Sequence, residues 1–279
     1  MTTLRCGDTD LPLGERTLLM GVVNITPDSF SDGGLYLDPT RAVEHARRLL
    51  ADGADVLDLG AESTRPGSTP VSADEELSRL LPVIRRLVDD GIRCLSIDTS
   101  KAEVAAAALA AGASWINDVT GLADPLMASV ATDADALVLM HQQPTTAGAV
   151  SDAVHYDDVV ADVSARLDEA RSVALSAGVT VDRIVLDPGI GFGKTVDDNL
   201  RLLAELPRLV ALGQPLLVGV SRKRFVAAVS GATDVEERDI ATVGAGCAAA
   251  RSGAAILRVH DVRSHRLALS LVDAIAHAR

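Results

Sequence analysis

The strongest constraint on the fold is an alternation of eight short apolar segments with Ala-, Leu- and Arg-rich segments of helical spacing. Each apolar segment has the length of one β-strand and is bounded by turn-forming residues. Several helical segments end in glycine, as helices commonly do at their carboxyl termini. The predicted strands are residues 18–24, 55–60, 94–99, 115–119, 136–141, 184–190, 215–221 and 255–261.

This alternation predicts a closed (β/α)8 TIM barrel of the α/β class, because parallel strands need helical crossovers and eight such units close a ring. No Pro-, Gly- or Ser-rich linker interrupts the sequence, which predicts a single domain over residues 1–279 with a lead-in segment at 1–17. An open doubly wound sheet is the alternative. Such a sheet usually carries a glycine-rich fingerprint after its first strand, whereas Asn-Ile-Thr-Pro stands here at 24–27.

Two segments resemble nucleotide-binding motifs but do not satisfy them. GFGKT at 191–195 ends like a P-loop, yet Pro188 occupies the position where the motif requires its first glycine. GAGCAA at 244–249 lies inside a helical segment and does not directly follow a strand. Neither a P-loop nor a nicotinamide site is therefore predicted.

Composition argues against several classes of partner. The net charge of −13 with scattered acidic residues opposes attraction to nucleic acid or to an anionic membrane, and the 2% of aromatic residues leaves few base-stacking platforms. Cys6, Cys94 and Cys247 lack the spacing of a disulfide framework or a zinc site. No signal-peptide pattern and no apolar run of about 18 residues are present. We expect a cytoplasmic protein without nucleic-acid or membrane partners.

The ends of the predicted strands carry polar side chains, and catalytic groups of a TIM barrel come from such ends. Asp98 lacks an evident structural task, since Ser100 and Glu103 offer a capping box for the next helix. A strand period of two places Arg258 beside His260, and Ser221 beside Lys223 if that strand runs so far. The strand-end residues are Asn24, Asp58, Asp98, Asn117, Asp118, His141, Asp187, Ser221, Lys223, Arg258 and His260.

Three cations of this acidic chain, Arg65, Lys223 and Arg258, lie at strand ends or in the following loops. Together with helix amino termini they predict an anion site, most naturally for phosphate or diphosphate. Asp98 and Asp187 would then accept from ring N–H donors at another part of the ligand. His141 could be a ligand, a base or an ordinary polar residue of the rim, and these alternatives stay open.

Seven motifs at strand ends, in order along the chain, resemble those of dihydropteroate synthases. The resemblance extends from about Leu18 to the carboxyl terminus, and it implies condensation of a pterin diphosphate with 4-aminobenzoate to give dihydropteroate. The motifs are NITPDSFSDGG (24–34), ESTRPGSTPV (62–71), SIDTS (96–100), INDVTG (116–121), DPGIGFGKT (187–195), GVSRKRF (219–225) and RVHDV (258–262).

The resemblance implies that several strand ends hold the pterin. Carboxylates and an amide would read its amino-pyrimidinone edge, Lys223 would donate to a ring acceptor, and Met140 and Phe192 would pack around the ring. The implied substrate-binding residues outside the two long βα loops are Asp98, Asn117, Met140, Asp187, Phe192, Gly219, Ser221 and Lys223.

For the diphosphate, the resemblance implies that Asn24 helps to place Mg²⁺ as cofactor. Arg258 and His260 would bind the diphosphate, and Thr64 and Arg65 would close over it. The implied catalytic residues are Arg65, Lys223, Arg258 and His260.

The 4-aminobenzoate site would be completed by Phe30 and Pro66, from two long βα loops, together with Ser221. Family members are commonly homodimers, and sulfonamides mimic 4-aminobenzoate in this family. The chain departs from the family after His141, where residues 142–148 read QQPTTAG instead of a Met- and Gly-containing loop.

Two alternatives remain at this stage. A pterin-dependent methyltransferase barrel would share the pterin-reading positions but has no need for the TRPG motif at 64–67 or SRKRF at 221–225. A non-catalytic pterin-binding paralogue would be favoured by changes at Asn24, Arg258 or His260, and all three are intact.

Overall fold

The computed structural model describes residues 3–26, 39–63, 69–142 and 155–278. Its strands are β1 (Thr3–Cys6), β2 (Thr9–Pro12), β3 (Leu18–Asn24), β4 (Val56–Gly60), β5 (Leu95–Asp98), β6 (Trp115–Asp118), β7 (Ala136–Met140), β8 (Ile184–Asp187), β9 (Leu217–Val218) and β10 (Ile256–Val259). Its helices are α1 (Pro39–Ala51), α2 (Ala73–Asp89), α3 (Ala102–Ala110), α4 (Met127–Val130), α5 (Val159–Ala177), α6 (Val196–Ala204), α7 (Leu206–Val210), α8 (Arg224–Ser230), α9 (Val235–Arg251) and α10 (Val262–His277).

Strands β3 to β10 form a parallel barrel in the order β8-β7-β6-β5-β4-β3-β10-β9. A parallel bridge between Leu186 and Leu216, with Leu186 N–H donating to Pro215 O at 3.0 Å, joins β8 to β9 and closes the ring. The strands are almost wholly buried because the barrel interior and the surrounding helices cover both their faces. The predicted (β/α)8 barrel is confirmed.

Several details of the prediction were wrong. Strand β8 ends at Asp187 instead of residue 190. Strand β9 ends at Val218 instead of residue 221, because the chain turns there and Arg222 adopts a φ of 58°. The capping box at Ser100 and Glu103 does not form, since α3 begins one residue later and Glu103 cannot occupy the required third position. Instead, Ala102 N–H donates to Asp124 Oδ2 at 2.9 Å.

The lead-in segment forms an antiparallel hairpin, β1–β2, at the amino-terminal end of the barrel. Leu4 and Leu11 are buried there against the lower barrel core, which contains Trp115. Trp115 Nε1 donates to Arg5 O at 2.7 Å, so the largest buried ring also bonds to the hairpin backbone. Cys6, Cys94 and Cys247 are free thiols, with Cys6 buried in this core. None of the described helices is long and apolar enough to cross a membrane.

Replacing Leu4 by Ala should lower the free energy of unfolding by about 3 kcal/mol, because it leaves a cavity beneath a fully buried side chain. Leu175→Ala is the matched control, since Leu175 is 40% exposed on α5 and should change stability little. Urea unfolding followed by circular dichroism measures both. Equal losses in the two variants would contradict a packing role for the hairpin.

Candidate active site

Arg258 lies at the centre of the polar groups at the carboxyl end of the barrel. Its Nε donates to Asp58 Oδ2 at 2.6 Å and its Nη2 donates to Asp98 Oδ2 at 2.7 Å. Burial acts to lower the pKa of Arg258, but the two carboxylates outweigh burial and raise that pKa above its usual value. The side chain is therefore a fixed cation that links β10 to β4 and β5 across the barrel.

Asp58 also binds Asn117, whose Nδ2 donates to Asp58 Oδ2 at 3.1 Å. The second oxygen of Asp58 and the amide oxygen of Asn117 are buried without a hydrogen-bond partner among the described residues. Buried acceptors without donors are costly, and a ligand rich in N–H groups could satisfy them. Asp58 was predicted at a strand end without a role. The available sequence signal was an acidic residue between apolar neighbours in the segment 56–60, and in the structure Asp58 is fully buried.

Two further carboxyl groups, Asp98 and Asp187, end strands β5 and β8. Burial raises the pKa of Asp98 to about 7, with Arg258 opposing the shift and Asp58 adding to it. Burial also raises the pKa of Asp187, against the opposing effect of Lys223. Asp187 Oδ1 accepts from Gly189 N–H at 2.8 Å. Both groups are thus acceptors whose charge is destabilised until a donor binds.

Lys223 lies near these carboxylates, although it belongs to the loop after β9 and not to a strand. Its ammonium donates to Ile190 O and lies 4.4 Å from the centroid of the Phe192 ring. Burial lowers the pKa of Lys223 to about 8, while Asp187 opposes that shift. A Cβ atom at Gly219 would lie 3.9 Å from Lys223 Nζ and 3.7 Å from Arg258 Cβ, so the lack of a side chain at Gly219 leaves space between these two residues.

Ser221 and His260 form a hydrogen-bonded pair beside this group. The ring Nδ1 of His260 lies 2.9 Å from Ser221 Oγ, which also accepts the His260 backbone N–H at 3.2 Å. Met140 is buried at the end of β7, in register with Asp187. The structure therefore brings Ser221, His260 and Met140 to the same end of the barrel as the carboxylates.

Asn24 ends β3 in register with Gly60 and is half-buried. Within residues 3–26, 39–63, 69–142 and 155–278, no three His, Cys, Asp or Glu side chains are grouped so that they could hold a metal ion. The predicted residues Phe30, Thr64, Arg65 and Pro66 lie outside the described residues.

A second polar cluster, which sequence analysis missed, lies beside the ends of β4 and β5. Lys101 Nζ donates to Glu76 Oε2 at 2.7 Å and also to Glu62, and Glu76 is fully buried on α2. Glu62 Oε1 accepts from Val71 N–H at 3.4 Å. Glu62 and Val71, which lie on either side of residues 64–68, are thus linked through this cluster.

A third cluster contains Lys194, whose Nζ lies 3.0 Å from His141 Nδ1. Burial and the nearby Lys194 charge lower the pKa of His141 to about 3, so His141 is neutral near pH 7. Of the three roles that the sequence left open for His141, the structure shows a buried polar residue of the rim that is hydrogen-bonded to Lys194. No sequence signal links these two residues, because their contact depends on how the loop after β8 folds back.

Comparison with known proteins agrees with this geometry. A family model described as "Pterin binding enzyme" matches residues 20–260. The dihydropteroate synthase of Bacillus subtilis is 44% identical over 94% of this chain and 89% of its own length. That of Mycobacterium leprae is 46% identical over 93% of this chain and 94% of its own length.

Solved structures agree as well. A dihydropteroate synthase from Xanthomonas albilineans with 4-aminobenzoic acid superimposes with a TM-score of 0.91 at 46% identity, over 99% of this chain and 98% of the other. One from Thermus thermophilus in complex with 6HMPPP gives a TM-score of 0.84 at 46% identity, over 98% and 99%. These matches confirm the resemblance inferred from the motifs, and the chain belongs to the dihydropteroate synthase family.

Proposed function

We propose that this chain condenses 6-hydroxymethyl-7,8-dihydropterin diphosphate with 4-aminobenzoate, giving 7,8-dihydropteroate and diphosphate in folate biosynthesis. The observation that carries the proposal is the Arg258 network, which places a fixed cation among acceptors that lack donors. A bicyclic ring with several N–H groups and an anionic end matches both requirements. Related structures hold 7,8-dihydropteroate, 4-aminobenzoate or 6HMPPP.

The pterin would donate hydrogen bonds to Asp98, Asn117 and Asp187, and it would accept one from Lys223. Because burial destabilises the charged carboxylates, ring N–H donors gain strong hydrogen bonds there. Met140 and Phe192 would pack against the ring faces. Gly219 leaves space between Lys223 and Arg258 for the ligand edge.

The chemistry is a substitution at the pterin methylene carbon. Its bond to the diphosphate oxygen breaks, the electron pair leaves with the diphosphate, and the remaining cation is stabilised by resonance with the ring. Arg258 and His260, with Arg65 and Thr64, would stabilise the departing charge. The lone pair of the 4-aminobenzoate amine then forms the new C–N bond, and the amine releases a proton.

The amine substrate would lie near Ser221, with Phe30 and Pro66 excluding water that would otherwise trap the cation. Sulfonamides are expected to compete for this position. Lys223 serves both sites, because it borders the ring-reading carboxylates and follows Ser221 in the same loop.

Among the described residues, the donors of this site fit a Mg²⁺ ion that is shared with substrate. Asn24 offers one amide oxygen, and the described residues provide no carboxylate cluster for a protein-only site. Mg²⁺ retains waters and commonly takes its other ligands from substrate phosphates. It would neutralise diphosphate charge, while Arg258 and His260 orient that group.

The proposed partners are the two small-molecule substrates and a second copy of the chain. On α10, Leu267, Leu271 and Ile275 repeat at helical spacing and are 66%, 65% and 48% exposed. Ile240 on the adjacent helix α9 is 69% exposed. Exposed apolar side chains on two adjacent helices favour an isologous homodimer through α9 and α10. The cytoplasmic location stays a prediction.

Turnover tests the main proposal. Purified protein with the pterin diphosphate and Mg²⁺ should release diphosphate and form dihydropteroate only when 4-aminobenzoate is added, as measured by chromatography. Lys223→Ala should abolish pterin binding while circular dichroism stays unchanged, because the buried acceptors lose their neighbouring cation. Pterin binding without product in the wild type would indicate a binding-only paralogue. Wild-type turnover in Lys223→Ala would contradict the assigned role.

Pterin affinity should depend on pH with an optimum between about pH 7 and 8. Asp98 must be ionised to accept ring donors, and its raised pKa of about 7 means that affinity increases as pH rises towards that value. Lys223 loses its proton above about pH 8, which weakens its donation. Calorimetry with the hydroxymethyl dihydropterin, which has no phosphate to titrate, measures this. A pterin affinity that stays constant from pH 5.5 to 8 would contradict the assignment of Asp98 as an acceptor for the ring donors.

Dimerisation should depend on the α10 surface. Leu271→Glu should convert the dimer to a monomer in sedimentation velocity, because it introduces a charge into an apolar interface. Leu126→Glu is the matched control, since Leu126 is also 65% exposed but lies before α4. A wild-type monomer, or a dimer that survives Leu271→Glu, would overturn this interface.

A further inference from the structure

The chain has three lysines, Lys101, Lys194 and Lys223, whereas its other basic side chains are arginines and histidines. Lys223 contacts Phe192 in the proposed pterin site, and Lys101 joins Glu62 and Glu76. All three follow the carboxyl ends of barrel strands. Lys194 belongs to neither the ligand-reading group nor the Lys101 cluster, so its role requires a separate explanation.

Lys194 precedes α6, and its side chain folds back over its own loop. Its Nζ lies 2.9 Å from Gly189 O, 3.0 Å from Phe192 O and 3.0 Å from His141 Nδ1. An ammonium group has three N–H donors and no acceptor, so these three contacts use its full capacity. We call this group of contacts the Lys194 anchor.

The contact with His141 fixes the state of that ring. Burial and the Lys223 charge lower the pKa of Lys194 to about 7. In its protonated form Lys194 has no acceptor, so Nδ1 of His141 accepts and the single ring proton lies on Nε2. His141 is only 5% exposed, and its lowered pKa agrees with a neutral ring. His141 also binds the neighbouring strand through its backbone, since its N–H donates to Asp187 O at 2.9 Å. The anchor therefore connects the loop after β8 to a rigid position at the end of β7.

The anchored loop needs such a connection. Gly189, Gly191 and Gly193 all have φ between 63° and 84°, and glycine in these positions carries a large entropic cost of ordering. At Gly189 a Cβ atom would lie 1.9 Å from His141 O, so the loop backbone packs directly against β7. Three of the seven residues at 188–194 are glycines, so few side chains of the loop itself can hold this conformation. Asn199 of α6 also contributes, because its Oδ1 accepts from Gly191 N–H at 2.6 Å.

The loop in turn holds Lys223. Its Ile190 carbonyl accepts from Lys223 Nζ, and its Phe192 ring lies beneath the same ammonium. Gly189 N–H donates to Asp187 Oδ1. Displacement of this loop would therefore move the contacts of both Lys223 and Asp187, which face each other in the proposed pterin site.

We propose that Lys194 is a positioning residue: with His141 as acceptor, it fixes the loop at 188–194 so that Ile190 and Phe192 hold the Lys223 ammonium in its ligand-binding place. This proposal rests on the proposed function. Arginine cannot replace Lys194, because its planar guanidinium cannot direct three bonds from one nitrogen to these acceptors.

Pterin affinity of Lys194 variants tests the proposal. Lys194→Met and Lys194→Arg should both raise the Kd for hydroxymethyl dihydropterin about tenfold, which is the weight of one charged hydrogen bond. In a Phe192→Ala background, Lys194→Met should raise the Kd by a much smaller factor, because the two changes act through one loop. Strict additivity, or an unchanged Kd in Lys194→Met, would overturn the proposal. Wild-type turnover, measured separately, decides the proposed function.

The acceptor is tested at His141. Asn at this position keeps an acceptor near the place of Nδ1, whereas Leu removes it. His141→Asn should therefore keep pterin affinity closer to the wild type than His141→Leu does. Equal losses in the two variants would show that only packing at His141 matters.

A spectroscopic readout separates positioning from general stability. Selective ¹⁵N labelling of lysine gives one side-chain signal for each of the three lysines. The Lys223 Nζ signal should shift in Lys194→Met and stay in place in Lys101→Met, the matched lysine control outside the loop. A lowered melting temperature in Lys194→Met with an unmoved Lys223 signal would assign Lys194 a purely structural role and refute the proposal.

Discussion

Burial of the Arg258 charge is the constraint on which the organisation of the site depends. A guanidinium that is 23% exposed at the end of a barrel needs anionic partners, and Asp58 and Asp98 supply them from two other strands. Asp58 shares one oxygen between Arg258 and Asn117, which leaves acceptors unpaired around it. The same ion pairs that stabilise the cation thus create the demand for a donor-rich ligand.

Burial also sets the pH range in which the groups of the site are charged. Burial shifts the pKa of Asp98 upward and that of Lys223 downward, so the two values approach each other near neutrality. Both groups can then be charged only within a narrow pH interval, and a ligand that bonds to both charged forms gains affinity by stabilising them. In the proposed pterin site, this coupling of two titrating groups to one ligand would provide specificity for a ring with donors and acceptors on adjacent edges.

The sequence predicted the barrel, and it predicted which polar side chains lie at the carboxyl ends of the strands, because both depend on local patterns. Apolar segments with polar ends identify strands and their carboxyl termini, and Asp98, Asn117, Asp187 and Arg258 followed from that. The short extent of β9 escaped prediction because its apolar neighbours look like strand residues. The missed capping arrangement at α3 depends on Asp124, which comes from a different loop. Contacts such as Lys101 with Glu76 are set by packing of distant segments, and no local pattern encodes them.

The distribution of lysine and arginine follows from the geometry of the two groups. Arg258 must bond two carboxylates in different directions, and a planar fork with several nitrogens does this with little loss of entropy. Lys194 and Lys223 instead direct a compact ammonium at backbone carbonyls inside a glycine-rich loop, where a guanidinium would not fit. Space in this loop is limited: a Cβ atom at Gly191 would lie 2.7 Å from the Lys223 side chain. In an otherwise arginine-rich chain, Lys101 and Lys194 thus stand where one nitrogen bonds several close acceptors, and Lys223 directs its ammonium at the Ile190 carbonyl of the loop between β8 and α6.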